Sequence, residues 1–402
     1  MTITTNQRIK AWTGPAILSF GFRPFFLLAG IWAALAMVLW IGMLSGGFAL
    51  PTFFDPISWH AHEMIFGYLG AVIAGFLMTA IPNWTGRMPI VGWPLAGLVG
   101  LWLAGRVAVA ISVGAPGLAA AVDLAFPVVL VAALGREIAA GKNWRNLPVV
   151  GLVALFTLAN LLFHLEAMQG GYPAQGVGLR IALAAAITLV SLIGGRVVPS
   201  FTRNWLVQRR SEQLPIPFSK GDKIVMAIGI VALLLWIFAP AEPLVGVALA
   251  AAGIAHFWRL LRWAGRHTGA EALVWVLHVG YAFVPLGFLA MAAAAFGWIQ
   301  AAAGQHLWMA GAIGLMTLAI MTRASLGHTG RTLTASGGTT AIYLALIASV
   351  LARLAYGIWG IMWLVHLAGG LWILAFGGFA VVYWPVLVRP RIAKKAVSGQ
   401  RS

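Results

Sequence analysis

The chain has 402 residues, of which 61% are hydrophobic and only 9% are charged, and its formal net charge is +17. A soluble globular domain carries about 25% charged residues, so this composition indicates a protein embedded in a lipid bilayer. The absence of cysteine excludes disulfides, thiolate-ligated iron–sulfur clusters and a cysteine nucleophile. Basic residues occur singly or in small groups between apolar runs, so the positive charge predicts no nucleic-acid partner and instead orients the chain in the membrane.

Apolar windows of about 20 residues predict membrane-spanning helices along the whole chain. The predicted spans are residues 25–44, 58–81, 94–113, 116–135, 147–168, 177–198, 223–240, 243–262, 271–297, 305–324, 338–356 and 359–388. We therefore predict an all-α, polytopic membrane bundle of twelve helices, forming a single integral membrane domain over residues 1–402. Within it, residues 1–24 form a cytoplasmic N-terminal segment, residues 25–388 the bundle, and residues 389–402 a basic cytoplasmic tail.

Lysine and arginine are concentrated in alternate connections between these spans. One set of connections includes both termini and the long segment 199–222, whereas the opposite set is almost free of basic residues. The opposite set comprises residues 45–57, 114–117, 169–176, 241–243 and 298–304. The positive-inside rule therefore predicts that both termini are cytoplasmic and that the second set of loops faces the outside.

Five of the histidines gather near the predicted outer surface. His60 and His62 begin the second span, His164 ends the fifth, His306 begins the tenth, and His366 is expected about two turns into the twelfth. An imidazole is costly where a helix enters hydrocarbon, and it is also a ligand for haem iron and for copper. Metal binding is one interpretation of this layer, and simple hydrogen bonding at the interface is the other.

The two histidines of the second span are predicted to point in different directions. On a regular helix His60 shares a face with Glu63, Met64 and Gly67, whereas His62 points about 200° away. They are therefore expected to serve two sites, or one of them is an interfacial bystander. We predict haem iron in the outer third of the bilayer, with His60 or His62 and His306 as candidate axial ligands, and Glu63 as a candidate proton donor.

A copper site is predicted from the remaining outer histidines, His164 and His366. Met362 lies one turn before His366, and an imidazole with a thioether suits Cu(I). Methionine is also a common gap-filler in helix packing, which is the alternative interpretation of this pair.

Two cations lie within apolar spans, where a charge usually has a partner. The candidate partners of Arg106 and Arg353 are Glu63, Asp55 and the propionates of a haem, and Asp123 is a further candidate for Arg106. Both arginines are therefore predicted to belong to the cofactor site.

Segments of the second and tenth spans share a pattern. His62–Arg87 and His306–Arg331 have the same length, open with histidine and close with Thr-Gly-Arg. A weaker copy without the histidine follows at residues 194–203 of the sixth span. The pattern predicts three four-helix units in a pseudo-threefold arrangement, with spans two, six and ten nearest the centre.

The chain resembles the NnrS family of bacterial polytopic membrane proteins, which are described as containing haem and copper and as associated with nitric oxide. The resemblance covers essentially the whole length. It rests on Ser19–Phe26, Trp59–Glu63, Gly75–Arg87, Gly194–Trp205 and Arg323–Arg331. It implies haem b and copper as cofactors, nitric oxide or another small gaseous ligand as partner, and a multi-pass location in the bacterial inner membrane. The implied role is in nitric oxide metabolism, including denitrification, or in resistance to nitrosative stress.

A fainter resemblance is to the haem–copper oxidases and nitric oxide reductases, which also place haem ligands on spans two and ten of twelve. This chain has no adjacent His-His pair on the seventh span and no histidine on the sixth, which argues against an oxidase-type binuclear centre. Three functions stay open: a nitric oxide-related oxidoreductase, a non-catalytic haem or copper sensor or assembly factor, and a secondary transporter. A transporter should show a two-fold repeat of six helices, in contrast to three units of four.

Overall fold

The computed structural model describes residues 12–87 and 89–392. In this part of the chain there are twelve helices long and apolar enough to cross a membrane, and there is no strand. They are α1 (Phe22–Leu44), α2 (Pro56–Thr85), α3 (Trp93–Ala110), α4 (Pro116–Ala140), α5 (Trp144–Met168), α6 (Val177–Gln208), α7 (Lys220–Phe238), α8 (Pro243–Leu261), α9 (Ala272–Ala295), α10 (Ala301–His328), α11 (Gly337–Trp359) and α12 (Trp363–Val388). The predicted all-α, twelve-span membrane bundle is confirmed. Residues 1–11 of the predicted N-terminal segment and residues 393–402 of the predicted tail lie outside the described residues.

The sixth helix departs most from its predicted boundaries. The apolar window ends at residue 198, but α6 has 32 residues and continues to Gln208. A helix of that length is about 48 Å long, against about 30 Å of hydrocarbon, so its last turns project beyond the membrane. Hydropathy indicates only where the apolar segment ends. The helix itself ends at Gln208, shortly before Arg210 adopts a positive φ of 56°. The first part of the predicted loop 199–222 is therefore helical.

The junction between the last two helices also lies later than predicted. Gly360 has a φ of +67° and its amide closes the end of α11 on the carbonyl of Tyr356. Glycine adopts this left-handed conformation without the steric cost of a Cβ, so it is a common helix stop. The twelfth helix begins at Trp363, which places His366 in its first turn and not two turns inside.

Four helices form the interior of the bundle. The buried share of the apolar window is 78% for α2, 72% for α10, 67% for α9 and 61% for α6, and it does not exceed 44% in the other eight helices. Helices α2, α6 and α10 together line an apolar cavity of about 80 Å³, to which Leu69, Ile193 and Thr317 contribute. The three spans predicted to be central are thus among the four most buried, and α9 was not foreseen. The three-unit repeat stays a prediction.

The two central helices that carry the matching sequence segments, α2 and α10, each contain a π-helical segment. In α2 it covers Glu63–Leu69 and in α10 it covers Leu307–Leu315. Long π-helical runs are rare, and π turns often occur at functional sites. Each segment starts immediately after a histidine, at matching positions of the two similar sequence segments, whereas α6 is α-helical throughout. The wider turns change the direction in which the following side chains point.

At the end of the bundle opposite to the histidines that begin α2 and α10, a buried arginine joins α1 to the end of α12. Arg23, in the first turn of α1, donates from Nη1 to the carbonyl oxygens of Leu387 at 2.8 Å and Arg389 at 2.7 Å. A cation at the end of α12 satisfies carbonyls that have no partner within the helix. The bonds of Arg23 therefore join the first helix to the last, and the amide of Ile392 donates to the carbonyl of Thr329 at the end of α10. Which membrane face this end occupies stays a prediction.

Candidate functional site

Two polar regions lie beside each other at the end of the bundle where α2 and α10 begin. The first, which we call the histidine cavity, has a volume of about 580 Å³. Its wall includes His60 and Met64 from α2, His306 from α10, Arg353 from α11, and Met362 just before α12. This volume is within the range of about 300–1,000 Å³ that is typical of sites for cofactors and other small molecules.

His60 is held in the cavity wall by stacking alone. Its ring lies on Trp40 with the centroids 4.1 Å apart and the planes inclined by 25°. Neither ring nitrogen has a hydrogen-bond partner among the described residues, and Nδ1 is fully buried. A buried polar atom normally has a partner, so an imidazole left in this condition is available to a ligand.

His306 differs because one of its nitrogens is engaged. Nδ1 donates to the carbonyl oxygen of Ala302, one turn earlier, at 2.7 Å. This bond assigns the proton to Nδ1 and leaves the lone pair on Nε2. A backbone carbonyl on the second nitrogen is the usual arrangement for a histidine that binds a metal.

Arg353 is the cation of the cavity wall. No carboxylate lies within ion-pair distance of it in residues 12–87 and 89–392, and its guanidinium carbon lies 5.0 Å from the ring centroid of Tyr356. The predicted pairing of Arg353 with Glu63 or Asp55 is therefore absent, because Glu63 is occupied elsewhere and Asp55 caps the start of α2. An anion within the cavity would be its natural partner.

The second region, which we call the charged cluster, consists of His62, Glu63, Arg106, Asp123, Asn160 and His164. Arg106 stands between two carboxylates. Its Nη1 donates to Glu63 Oε1 at 2.8 Å and to Oε2 at 2.7 Å, and its Nη2 donates to Asp123 Oδ1. Trp32 Nε1 adds a bond of 2.8 Å to Glu63 Oε2. Both carboxylates and the guanidinium are at most 3% exposed, so the predicted pairing of Arg106 is a buried one.

Two imidazoles converge on the other oxygen of Asp123. His62 Nε2 lies 3.3 Å and His164 Nε2 lies 3.1 Å from Asp123 Oδ2. Asn160 donates from Nδ2 to the same oxygen at 2.7 Å and places its Oδ1 3.0 Å from His62 Nε2. The second nitrogen of His62, Nδ1, faces Glu63 Oε1 at 2.9 Å. Helices α2, α4 and α5 thus bring two histidines and one aspartate within ligand distance of a single point.

Aromatic rings seal the charged cluster. Phe54 stacks on His62 with centroids 5.2 Å apart and also contacts the ring of His164 at 5.4 Å. Phe66 and Phe163 cover His62 from its other sides. The low polarity of this shell strengthens the electrostatic interactions inside it.

Comparison with known families assigns the chain. A family model described as NnrS protein matches residues 16–391, which is nearly the whole chain. The chain belongs to the NnrS family. No curated protein matches it. NnrS membership and the twelve-helix fold fit a polytopic membrane protein with a function related to nitric oxide.

The predicted site residues of this NnrS protein are divided between the two regions. His60, His306, Arg353 and Met362 lie in the wall of the histidine cavity. The remaining residues with close polar contacts, His62, Glu63, Arg106 and His164, form the charged cluster with Asp123 and Asn160. The two histidines of α2 thus lie in two different sites, as their helical phase predicts.

Two predicted groupings of residues are wrong. Glu63 and Gly67 face the charged cluster and not His60, since the π-helical turn that starts at Glu63 has a different angular phase from an α-helix. His164 and His366 do not meet. His366 lies on an exposed face of α12, because the rotation of a membrane helix about its axis is set by packing and not by hydropathy.

Sequence reasoning in this NnrS chain missed the central position of Asp123 and the stacking of Trp40. Asp123 was considered only as a partner for Arg106, but its second oxygen collects both imidazoles. The available signal was a carboxylate in the middle of an apolar span, which by itself indicates a buried polar partner. The side-by-side placement of Asn160 and His164 on one face of α5 pointed in the same direction.

Proposed function

We propose that this NnrS family member binds haem b in the histidine cavity, where His60 and His306 would hold it, and that it binds or converts nitric oxide there. The observation that carries the proposal is that these two histidines, from matching positions of α2 and α10, line one cavity of about 580 Å³. The proposed location is the bacterial inner membrane, with the cavity toward the periplasm.

The residues of the cavity suit a haem in three respects. His60 has no hydrogen bond to lose, and His306 holds its proton on Nδ1, so each can offer a nitrogen lone pair to iron. Trp40 and Trp372 provide flat apolar surface in the wall. Arg353 is a cation without a carboxylate partner, which is what a haem propionate requires.

Haem iron, when bound, supplies the centre at which nitric oxide coordinates. The chain itself positions the two imidazoles and lines the interior largely with apolar side chains, and Arg353 would neutralise a propionate. Nitric oxide is small and uncharged, so it can reach such a site through the lipid without a polar channel. Glu63 does not line the cavity, and its role as a proton donor stays a prediction.

The test is the optical spectrum of the full-length protein purified in detergent. Wild type should show a Soret band that shifts when nitric oxide is added to the reduced protein. The variants His60→Ala and His306→Ala should each lose or shift that band, because each removes one iron ligand. The matched control is His366→Ala, which removes an exposed histidine at the same end of the bundle and should leave the spectrum unchanged.

Two outcomes contradict the proposal. One is an unaltered spectrum in both His60→Ala and His306→Ala, which would place haem elsewhere. The other is a wild-type protein, folded and monodisperse, that contains no haem and takes none up from haemin, which would favour the alternative of a secondary transporter.

A further inference from the structure

The charged cluster is not used by the haem proposal, and it has the properties of a second site. We propose that it binds one transition-metal cation of the zinc–copper class, with His62, Asp123 and His164 as ligands. The site is separate from the histidine cavity, since none of these three side chains lines that cavity.

Two of the three pairs of ligand atoms already have the spacing that a metal requires. His62 Nε2 and His164 Nε2 lie 3.3 Å and 3.1 Å from Asp123 Oδ2. Four ligands at about 2.0–2.1 Å from a tetrahedral zinc or copper ion are about 3.3–3.4 Å from one another. All three atoms are within 4.8 Å of one another, so the two nitrogens have to approach each other by at most about 1.4 Å to admit the ion.

The surrounding hydrogen bonds prepare His62 as a ligand. Its Nδ1 faces Glu63 Oε1 at 2.9 Å, so a proton on Nδ1 leaves the lone pair of Nε2 directed toward Asp123. A carboxylate on the far nitrogen of a ligating histidine fixes the ring and increases its basicity. Glu63 is in turn held by Arg106 and Trp32. Glu63 does not line the histidine cavity, and these contacts instead assign it to the support of His62.

The charge of the cluster also favours a cation. Glu63 and Asp123 contribute two negative charges and Arg106 one positive charge, and all three are at most 3% exposed. The remaining negative charge is costly inside the bundle unless a proton or a metal cation compensates it. Asn160 Oδ1 lies 3.0 Å from His62 Nε2 and offers such an ion a fourth ligand, which is uncharged.

The donor atoms select the class of metal. Two imidazole nitrogens, one carboxylate and an amide oxygen suit zinc or copper better than magnesium or calcium, which prefer all-oxygen sites. The rival explanation is a proton on His62, with Nε2 donating to Asn160 and Asp123. A proton and a metal cannot occupy Nε2 together, so a measurement of metal binding distinguishes a metal site from a protonated His62.

The experiment uses the full-length protein in detergent, stripped with a chelator and then given Cu²⁺ as the probe. After removal of free metal, wild type should retain about one copper per chain. Its electron paramagnetic resonance spectrum should show hyperfine splitting from two nitrogens. His164→Ala should reduce copper retention at least about tenfold, and Glu63→Gln should weaken binding by about 10–100-fold.

Two control variants keep this test independent of haem. His366→Ala removes the exposed histidine and should retain copper as wild type does. His60→Ala should lose haem and retain copper, so failure of the haem proposal does not affect this one. A wild type that retains no copper, or one in which His164→Ala retains as much as wild type, would overturn the proposal in favour of a protonated His62. Loss of copper in His366→Ala would overturn it as well.

Discussion

His60 and His62 are two residues apart in α2, and their surroundings are opposite. His60 stacks on Trp40, has no hydrogen bond, and faces a cavity of about 580 Å³. His62 is fully buried and both of its nitrogens have polar partners. The same contrast holds for the arginines, because Arg106 has two carboxylates while Arg353 has none among the described residues.

The difference separates two uses of a buried polar group. In the charged cluster the polar side chains bond to one another and connect α2, α4 and α5, so the loss of one of them leaves a buried charge without its partner and destabilises the fold. In the histidine cavity His60 and Arg353 have no hydrogen bond or ion pair to the described residues, which leaves them free for a ligand. Substitutions in the cluster should therefore lower the stability of the protein as well as metal binding, whereas substitutions in the cavity should mainly change haem binding.

The largest effect is expected from Arg106→Gln. The change leaves Glu63 and Asp123 as buried carboxylates without a cation, at a cost of about 3–5 kcal/mol. The measurement is the midpoint of thermal unfolding in detergent, compared with Arg353→Gln. That control removes a cation that has no ion pair, and it should stay within about 1 kcal/mol of wild type. Equal destabilisation by the two substitutions would contradict the proposed difference in how the two regions contribute to stability.

A smaller effect is expected from adding one methyl group beside the cluster. The Cβ of Gly67→Ala would lie 2.7 Å from Glu63 Oε2, 2.8 Å from Arg106 Nη1 and 2.9 Å from Trp32 Nε1. These atoms are fixed by their mutual bonds, so the crowding should cost about 1–3 kcal/mol. Gly70→Ala, one turn later in the same helix, meets nothing within 4 Å and is the matched control. Both are measured by thermal unfolding, and an equal response of the two variants would contradict the packing described.

The smallest effect is expected from Tyr68→Phe, in the cavity wall. Tyr68 Oη and Thr317 Oγ1 are 2.5 Å apart, and this bond joins α2 to α10. Thr317 keeps its bond to the carbonyl of Ile313 after the change, so no buried donor loses its partner and the loss should be about 0.5–1.5 kcal/mol. The haem spectrum should keep its intensity. Destabilisation as large as that of Arg106→Gln would show that the cavity wall contributes to the fold as strongly as the cluster does.

The sequence alone determined the frame of this protein. Twelve apolar windows predicted twelve helices, and the first residue of α5 to α8 agreed with its window within a few residues. This succeeds because the cost of placing backbone and charge in lipid depends on local composition and length. The same cost explains why His60, His62, His164 and His306 lie near the ends of their spans, at one end of the bundle.

Only the tertiary structure decided which of these side chains meet. His62 and Asn160 are joined across 98 residues of chain, whereas His366 is exposed and belongs to neither site. Hydropathy has no information on the rotation of a helix about its axis, which depends on close packing with neighbouring helices. The π-helical turn after His62 adds a further change of phase that no apolar window reveals. The position of the histidines therefore follows from the lipid, and their partners follow from the packing.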